Sequence, residues 1–519
     1  MREFILERPD EVRVLIGNHW QEPPMDVTVE WQGDGLYLTA KHSRVEAVGL
    51  RYGTAFEQGA RFFGDAWERG YGNLGWQGLV PERVLPWYMA VREGERCSFL
   101  GVGTGCNAFV GFLTDADGVT LLADTRAGCV GVALNGRPLQ LCTVRAVFNA
   151  QAADSFAFVR ENVKALCPRP LLPKVPVYGG NNWYYAYGRS SREQILSDSA
   201  FIAEMAEGLE NRPFMVVDDG WQLLADDRVT NGGPWTGNAR FGDMAGVAAK
   251  MRETGVRPGL WYRPLLLNGD VKPGWVLKQT HEGLTLDPSN EEVLEYVKDI
   301  TRTMAGWGFE LLKHDFSTFD FMGDWGSRPH GDRLGSPSPI ADPTRTNAEH
   351  ILRLYDAIRE GAGDALVIGC NTVGHLAAGR VEIQRTGDDT SGLDWERTRY
   401  MGVNTLAMRM VQNGAFYAAD ADCVGSTDAV PWPLNRQWLD LLSRSGTPLF
   451  VSADPAKQSA EQRADIRRAF AVAAEPHESA VPLDWEDTTC PALWRAFDDE
   501  HRYHWGDWYD PDTRNVYWR

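Results

Sequence analysis

The chain has no run of about 20 apolar residues, so nothing in it is suited to cross a membrane as a helix. Its opening residues lack the apolar core of a signal peptide. Eight cysteines are scattered without CxxC spacing, which fits reduced thiols and a cytoplasmic location better than a disulfide frame. Ten histidines form no HxH or HExxH pair, so the ligand spacing of a zinc-dependent hydrolase is missing. Basic charge is in deficit: 52 Lys and Arg against 71 Asp and Glu give a net charge of −19. That balance argues against nucleic acid or an anionic membrane surface as a partner. Repeats, low-complexity tracts and coiled-coil heptads are absent as well. The one glycine-rich run with a phosphate-loop look, Gly101-Val-Gly-Thr-Gly105, lacks a following Lys-Ser/Thr and reads as a turn.

What is present is an alternation of strand and helix signals from about 175 to 455. Pro176-Val-Tyr178, Phe214-Met-Val-Val217, Arg257-Pro-Gly-Leu-Trp261, Glu310-Leu-Leu-Lys-His-Asp-Phe316, Ala365-Leu-Val-Ile-Gly-Cys370, Val381-Glu-Ile-Gln-Arg385, Ala415-Phe-Tyr417 and Pro448-Leu-Phe-Val451 mark eight strands. Between them lie helical patterns, such as Val293, Leu294, Val297 and Ile300 within 289–305, and a helix capped by Ser191 that carries Ile195, Phe201, Ile202 and Met205. Further helices are expected over 244–253 and 347–360. Eight such units predict an α/β fold: a (β/α)8 TIM barrel over 171–455. Residues 1–170, with short alternating stretches such as Val27-Thr-Val-Glu-Trp31, predict an N-terminal β-sandwich. Pro168, Pro170, Pro173 and Pro176 mark the linker. Residues 456–519 form the third segment, which from about 478 reads as a small C-terminal β domain rich in tryptophan (Trp485, Trp494, Trp505, Trp508, Trp518).

Polar residues cluster where the barrel strands end, the face that carries the active site in such barrels. Lys313 and Asp315 are two apart on a strand and so share a face. A charged pair on the inward face of an apolar strand is costly unless something polar binds there; a buried ion pair that only holds the core is the structural alternative. His314 has the opposite parity and is expected to hydrogen-bond on the helix side. Two carboxylates on facing strands are the minimum for glycoside hydrolysis. With Arg385 facing inward, parity selects Asp389 as the acid/base and leaves Asp388 as the fallback. The Asp388-Asp389 pair could otherwise serve as a helix cap before Asp394-Trp395-Glu396. Most of the 20 tryptophans are expected in cores and a few as sugar platforms.

These segments together resemble the α-galactosidases of glycoside hydrolase family 36. The resemblance rests on Leu286-Asp-Pro-Ser-Asn-Glu-Glu-Val293, Trp307 to Phe316, Arg385-Thr-Gly-Asp-Asp-Thr390, Val217-Asp-Asp-Gly-Trp221, Pro258-Gly-Leu-Trp261, Ile368-Gly-Cys370 and Ala419-Asp-Ala-Asp-Cys423, in the family's order. It implies Asp315 as nucleophile and Asp389 as general acid/base. It implies that Asp218 and Asp219 bind the O4 and O6 hydroxyls, that Lys313 binds hydroxyls beside the nucleophile, and that Arg385 orients Asp389. Trp183, Trp221 and Trp261 would form walls, and Cys370 would approach the 2-position. From the N-terminal segment, Gly64-Asp-Ala-Trp67 is a candidate lid. Departures are Asn371-Thr-Val-Gly-His375 after Cys370, and Arg263 after Trp261. They leave the sugar open among α-galactose, N-acetylgalactosamine and β-L-arabinopyranose, with galactosyl transfer and a non-catalytic sugar-binding protein as further alternatives. The expected partner is a small oligosaccharide or glycoside. No cofactor or metal is implied, because two carboxylates suffice for the chemistry. A homo-oligomer is compatible with the sequence but not specified by it.

Overall fold

The computed structural model describes residues 1–223, 231–323 and 338–505. Its centre is a curled, all-parallel sheet of nine strands. In chain order these are β1 (Tyr178–Asn181), β2 (Phe214–Val217), β3 (Arg257–Tyr262), β4 (Leu311–His314), β5 (Leu366–Gly369), β6 (Ile383–Arg385), β7 (Ala418–Asp420), β8 (Cys423–Ser426) and β9 (Leu449–Ala453). Their order across the sheet is β7-β6-β5-β4-β3-β2-β1-β9-β8. The two outermost strands, β7 and β8, are separated only by Ala421 and Asp422, so chain continuity brings the ends of the sheet together. The expected seventh strand at Ala415–Tyr417 is thus displaced. It lies just downstream and is broken in two, with Asp422 at φ 71° in the gap.

Every residue of β1, β2, β4, β8 and β9 is buried. Parallel strands covered on both faces read as continuous apolar runs for this reason. The cover comes from helices, one of which has the cap expected for it. Ser191 accepts a hydrogen bond from Gln194 N and starts helix Arg192–Met205. Asp243 caps Met244–Glu253, Asn290 caps Glu291–Gly306, and Thr346 with Glu349 forms a capping box on Asn347–Ala362. Helix Ala460–Ala473, beyond the expected boundary at 455, also packs on this sheet, with Phe470 edge-on to Tyr178 of β1 at 5.1 Å. Close strand contact needs glycine at 179: a Cβ there would lie 1.9 Å from the Phe214 carbonyl oxygen.

Before this sheet, two six-stranded antiparallel sheets are built mainly from residues 11–151. Alternation is visible in Val27–Gln32, where Val27 is buried while Thr28, Glu30 and Gln32 are exposed. Strand Arg96–Val102 ends before Gly103, so the 101–105 glycines sit at a strand end and the turn after it. A three-stranded antiparallel sheet, Val481–Pro482, Leu493–Ala496 and Asp499–Arg502, follows the parallel one. Trp485, Trp494 and Trp505 are buried; Trp508 and Trp518 lie outside the described residues. All eight cysteines are free thiols, and no described helix is long and apolar enough to cross a membrane.

Candidate active site

The carboxyl ends of the parallel strands bring most of the expected residues together. Asp218 follows β2 and is buried. Its Oδ2 accepts from Lys313 Nζ on β4 at 2.8 Å and from Asn181 Nδ2 at the end of β1 at 2.6 Å. Its own N–H donates to Asn182 Oδ1. The sequence expectation had paired Lys313 with Asp315 as same-face neighbours. Lys313 instead reaches two strands across to Asp218, because its long stem spans the gap and Asp218 is the deeper carboxylate. Burial is the largest single influence and opposes the ammonium charge, but Asp218, Cys370 and Asp315 together outweigh it and hold Lys313 above the ordinary lysine range.

Asp219 is only partly covered. Its Oδ1 accepts from Gln222 Nε2 at 2.7 Å. Burial raises its carboxyl to about 6, against the Gln222 hydrogen bond and with the help of neighbouring Asp218.

Asp315 stands one residue past β4 and is 8% exposed. Its Oδ2 accepts from Trp261 Nε1 at 3.1 Å, and its Oδ1 from Phe316 N at 2.8 Å. Phe316 has φ 59°, an uncommon conformation for a non-glycine residue. The next turn folds back, and the Phe316 ring lies under the Arg263 guanidinium at 4.2 Å. Arg263 is fully buried and neutralised by a bidentate pair with Asp320 at 2.9 and 2.7 Å. It is therefore a structural cation that braces the turn after Asp315.

His314 differs from expectation. Neither ring nitrogen has a hydrogen-bond partner among the described residues. The ring lies between Tyr262 and Tyr355, with centroids 6.5 and 5.7 Å away, and burial lowers its pKa to about 4. The helix side of β4 is packed by aromatic rings, so the imidazole is accommodated neutral.

On β6, Arg385 Nη2 contacts Asp389 Oδ1 at 3.3 Å and Asp422 Oδ2 at 2.9 Å, while Nη1 donates to Cys370 Sγ at 3.3 Å. Asp388 turns away into a clamp of two arginines, Arg69 at 2.9 Å and Arg397 at 2.8 Å. Asp389 keeps 37% of its side chain exposed. Burial pushes its carboxyl up, but Arg385, Arg69, Lys313 and Arg397 together hold it below the usual range. Gly387 is required here, since a Cβ would lie 2.1 Å from the Met401 carbonyl oxygen.

The three tryptophans divide. Trp183 is half-buried at the mouth, next to Tyr187. Trp261 is 2% exposed and touches Asp315. Trp221 has no exposed surface; its Nε1 donates to the Trp261 carbonyl at 2.8 Å, so it supports the wall from behind. The candidate lid also changes identity. Trp67 packs with Trp87 and Phe109 in the N-terminal core, and Asp65 pairs with Arg409 at 2.8 Å. The next two residues, Glu68 and Arg69, reach the site: Glu68 accepts from Asn371 Nδ2 at 3.1 Å, and Arg69 meets Asp388.

Sequence reasoning missed Arg69, Glu68, Asn181 and Asp422. Asp422 was within reach, inside the Asp420-Ala-Asp422 segment. Arg69 had no local signal, because its partner is a remote loop. Among the described residues no group of three His, Cys, Asp or Glu side chains is arranged to hold a metal ion.

No family profile matches the chain. A bifunctional α-galactosidase/sucrose kinase of Mediterraneibacter gnavus, AgaSK, is 26% identical over 175 residues, 27% of this chain and only 18% of that relative. In structure, an α-galactosidase of Thermus thermophilus, TtGalA, solved with p-nitrophenyl α-D-galactopyranoside, superposes with a TM-score of 0.61 and 21% identity, over 95% of this chain and 98% of the other. The chain has a glycoside hydrolase family 36 fold. A second family 36 fold, the α-galactosidase AgaA of Geobacillus stearothermophilus, matches at a TM-score of 0.58 and 16% identity, over 90% and 73% of the two chains. Within this fold the site described above occupies the strand ends of the parallel sheet.

Proposed function

We propose that the protein is a retaining glycoside hydrolase that removes terminal α-linked galactose from small oligosaccharides or glycosides. The curled sheet is read as a (β/α)8 barrel whose seventh strand is β7 plus β8. The division is 1–170 (β-sandwich), 171–455 (barrel) and 456–519 (C-terminal β segment), with helix Ala460–Ala473 lending itself to the barrel. The observation that carries the reading is the contrast between two carboxylates in one site. Asp315 accepts two neutral N–H donors and keeps lone pairs for a reacting carbon, while Asp389 lies at the open side under Arg385.

In this reading Asp315 attacks the anomeric carbon, the bond to the leaving oxygen breaks, and Asp389 gives that oxygen its proton. Asp389, now a carboxylate, takes a proton from water. The water oxygen attacks the anomeric carbon and the ester bond to Asp315 breaks. Two displacements give net retention. Asp218 and Asp219 accept from sugar hydroxyls, with charge-assisted strength. Lys313 anchors Asp218 so that its remaining lone pairs point into the site, and Trp183 and Trp261 are the sugar-facing walls. Asp388, saturated by two arginines, is unsuited to proton transfer, which favours Asp389. The free thiols support a reducing, cytoplasmic setting.

A panel of nitrophenyl glycosides tests the sugar. Preferred hydrolysis of the α-galactoside, with the α-anomer of galactose formed first by NMR, is expected. Preferred turnover of the α-N-acetylgalactosaminide or β-L-arabinopyranoside would reassign the sugar. Asp389→Ala should slow substrates with poor leaving groups far more than activated aryl ones; the same pattern in Asp388→Ala instead would move the acid/base by one residue.

A further inference from the structure

The loop that joins strand Arg61–Gly64 to the rest of the N-terminal sheets is stitched into the end of β6. Gly70 N donates to the Thr386 carbonyl at 2.9 Å, and Asp388 N donates to the Gly70 carbonyl at 3.0 Å. Asp65 holds Arg409 and Gln412 on the barrel side, and Asn404 donates to the Leu74 carbonyl at 2.8 Å. This double anchoring fixes Arg69 between two elements. Its Nη2 lies 2.9 Å from Asp388 Oδ1 and its Nη1 3.8 Å from Asp389 Oδ1. One guanidinium thus faces both members of the Asp388-Asp389 pair, but it is bonded to only one of them.

We propose that Arg69 and Asp388 are a positioning pair that sets the proton affinity of Asp389, so that a loop of the N-terminal sheets takes part in the reaction. The proposal rests on Asp389 being the acid/base. A general acid must carry a proton before the substrate binds, yet Asp389 is surrounded by cations. Arg385 faces it from its own strand, Lys313 from β4 and Arg397 from the following helix, while Tyr184, in the helical turn after β1, gives its hydroxyl to the neighbouring Asp422. Arg69 belongs to that set as well, and without a counter-charge it would weigh on Asp389 more heavily and drive the proton off. Asp388 is that counter-charge: it binds Arg69 and Arg397 together, leaving Asp389 with one close cation, Arg385, at 3.3 Å. Asp422 in turn shares Arg385. On the far side of Arg69, Glu68 is buried against Tyr71 and Asn371, and burial raises its carboxyl to about 7.

The signs are opposite for the two members. Loss of Arg69 removes positive charge near Asp389 and favours its protonated form. Loss of the Asp388 charge frees Arg69 and Arg397 to act on Asp389 and disfavours it. The test is the basic limb of kcat/KM against pH on an unactivated alkyl α-galactoside, which needs leaving-group protonation. Arg69→Gln should move that limb to higher pH and Asp388→Asn to lower pH, each on the order of half a unit or more. Arg69→Lys should restore the unmutated position. The same two shifts should persist in a Glu68→Gln background, where titration of Glu68 is removed. Shifts in the same direction, or an altered rate with no displacement of the limb, would overturn the proposal. If Arg69→Gln does not fold, Asp388→Asn alone decides, since an unmoved or raised limb is incompatible with the proposed role. Asp389→Ala measured beside them separates the two layers: retained turnover of the alkyl substrate by that variant would overturn the acid/base reading itself.

Discussion

Two Asp-Asp dipeptides end strands of the same sheet, Asp218-Asp219 after β2 and Asp388-Asp389 after β6, with three strands between them. In each, one carboxylate is tied to side chains of other strands or loops and the other has fewer close partners. Asp218 is bonded to Lys313 and Asn181, and Asp388 to Arg69 and Arg397. Their partners Asp219 and Asp389 move in opposite directions. Burial raises Asp219 to about 6, whereas arginines overcome burial and lower Asp389. The same two letters therefore give four different carboxylates. Which one can bind a hydroxyl or move a proton is decided by what approaches from other elements, not by the dipeptide.

The sharpest break of this comparison is a carboxylate outside both pairs. Asp315→Asn keeps the acceptor for Trp261 Nε1 but removes the attacking charge. Turnover should fall by several orders of magnitude with the thermal unfolding midpoint little changed, and a fluorinated galactosyl inhibitor should label Asp315 in the unmutated protein. Labelling of another carboxylate would displace it.

Next is the closed pair. Lys313→Met leaves Asp218 buried without its cation, a change that costs about 3–5 kcal/mol in comparable buried pairs. Chemical denaturation should show that loss, along with loss of activity. A loss below about 1 kcal/mol would mean that Asp218 finds other partners and that the pair is not closed.

A third test uses the sign of the Asp219 shift. Its folded pKa lies above the ordinary value near 4, so its contribution is fully present below pH 4. It is lost as pH rises to about 6, an amount of about 3 kcal/mol at 1.36 kcal/mol per unit. Asp219→Asn, which keeps an acceptor for Gln222, should therefore unfold at higher denaturant than the unmutated protein at pH 7.5. The advantage should vanish near pH 4. An advantage of equal size at both pH values would remove titration of Asp219 as its cause.

The smallest effect separates Asp218 from Asp388 by specificity. Asp218→Ala removes a charged acceptor worth about 1.5–3 kcal/mol to one hydroxyl. The preference for α-galactoside over α-glucoside should erode roughly ten- to a hundredfold. Asp388→Ala should alter rate but leave that ratio unchanged. Equal ratios in the two variants would dissolve the distinction between hydroxyl reader and arginine sink.

Much of the frame was legible in the residues. Met244–Glu253 was expected with the bounds it has, because its apolar period is written within one helix. The Ser191 cap is likewise short-range. The seventh strand was not legible. Asp420 and Asp422 interrupt its apolar run, and their tolerance depends on remote groups: Tyr184 donates to Asp422, and Arg385 pairs with it. His314 was given a hydrogen bond that an aromatic wall replaces. Gly64–Trp67 marked the right loop, but the residues that enter the site are the next two.

The sequence by itself determined where carboxylates stand at strand ends, which stretches alternate and which helices begin where. Those features depend on neighbours within about four residues. Tertiary structure alone decided that Lys313 belongs to Asp218, that Arg69 from the N-terminal sheets belongs to Asp388, and that β7 and β8 lie at opposite edges of one sheet. Ion pairs and strand pairing join residues far apart in the chain. Their energies depend on distance and burial, which no local pattern encodes.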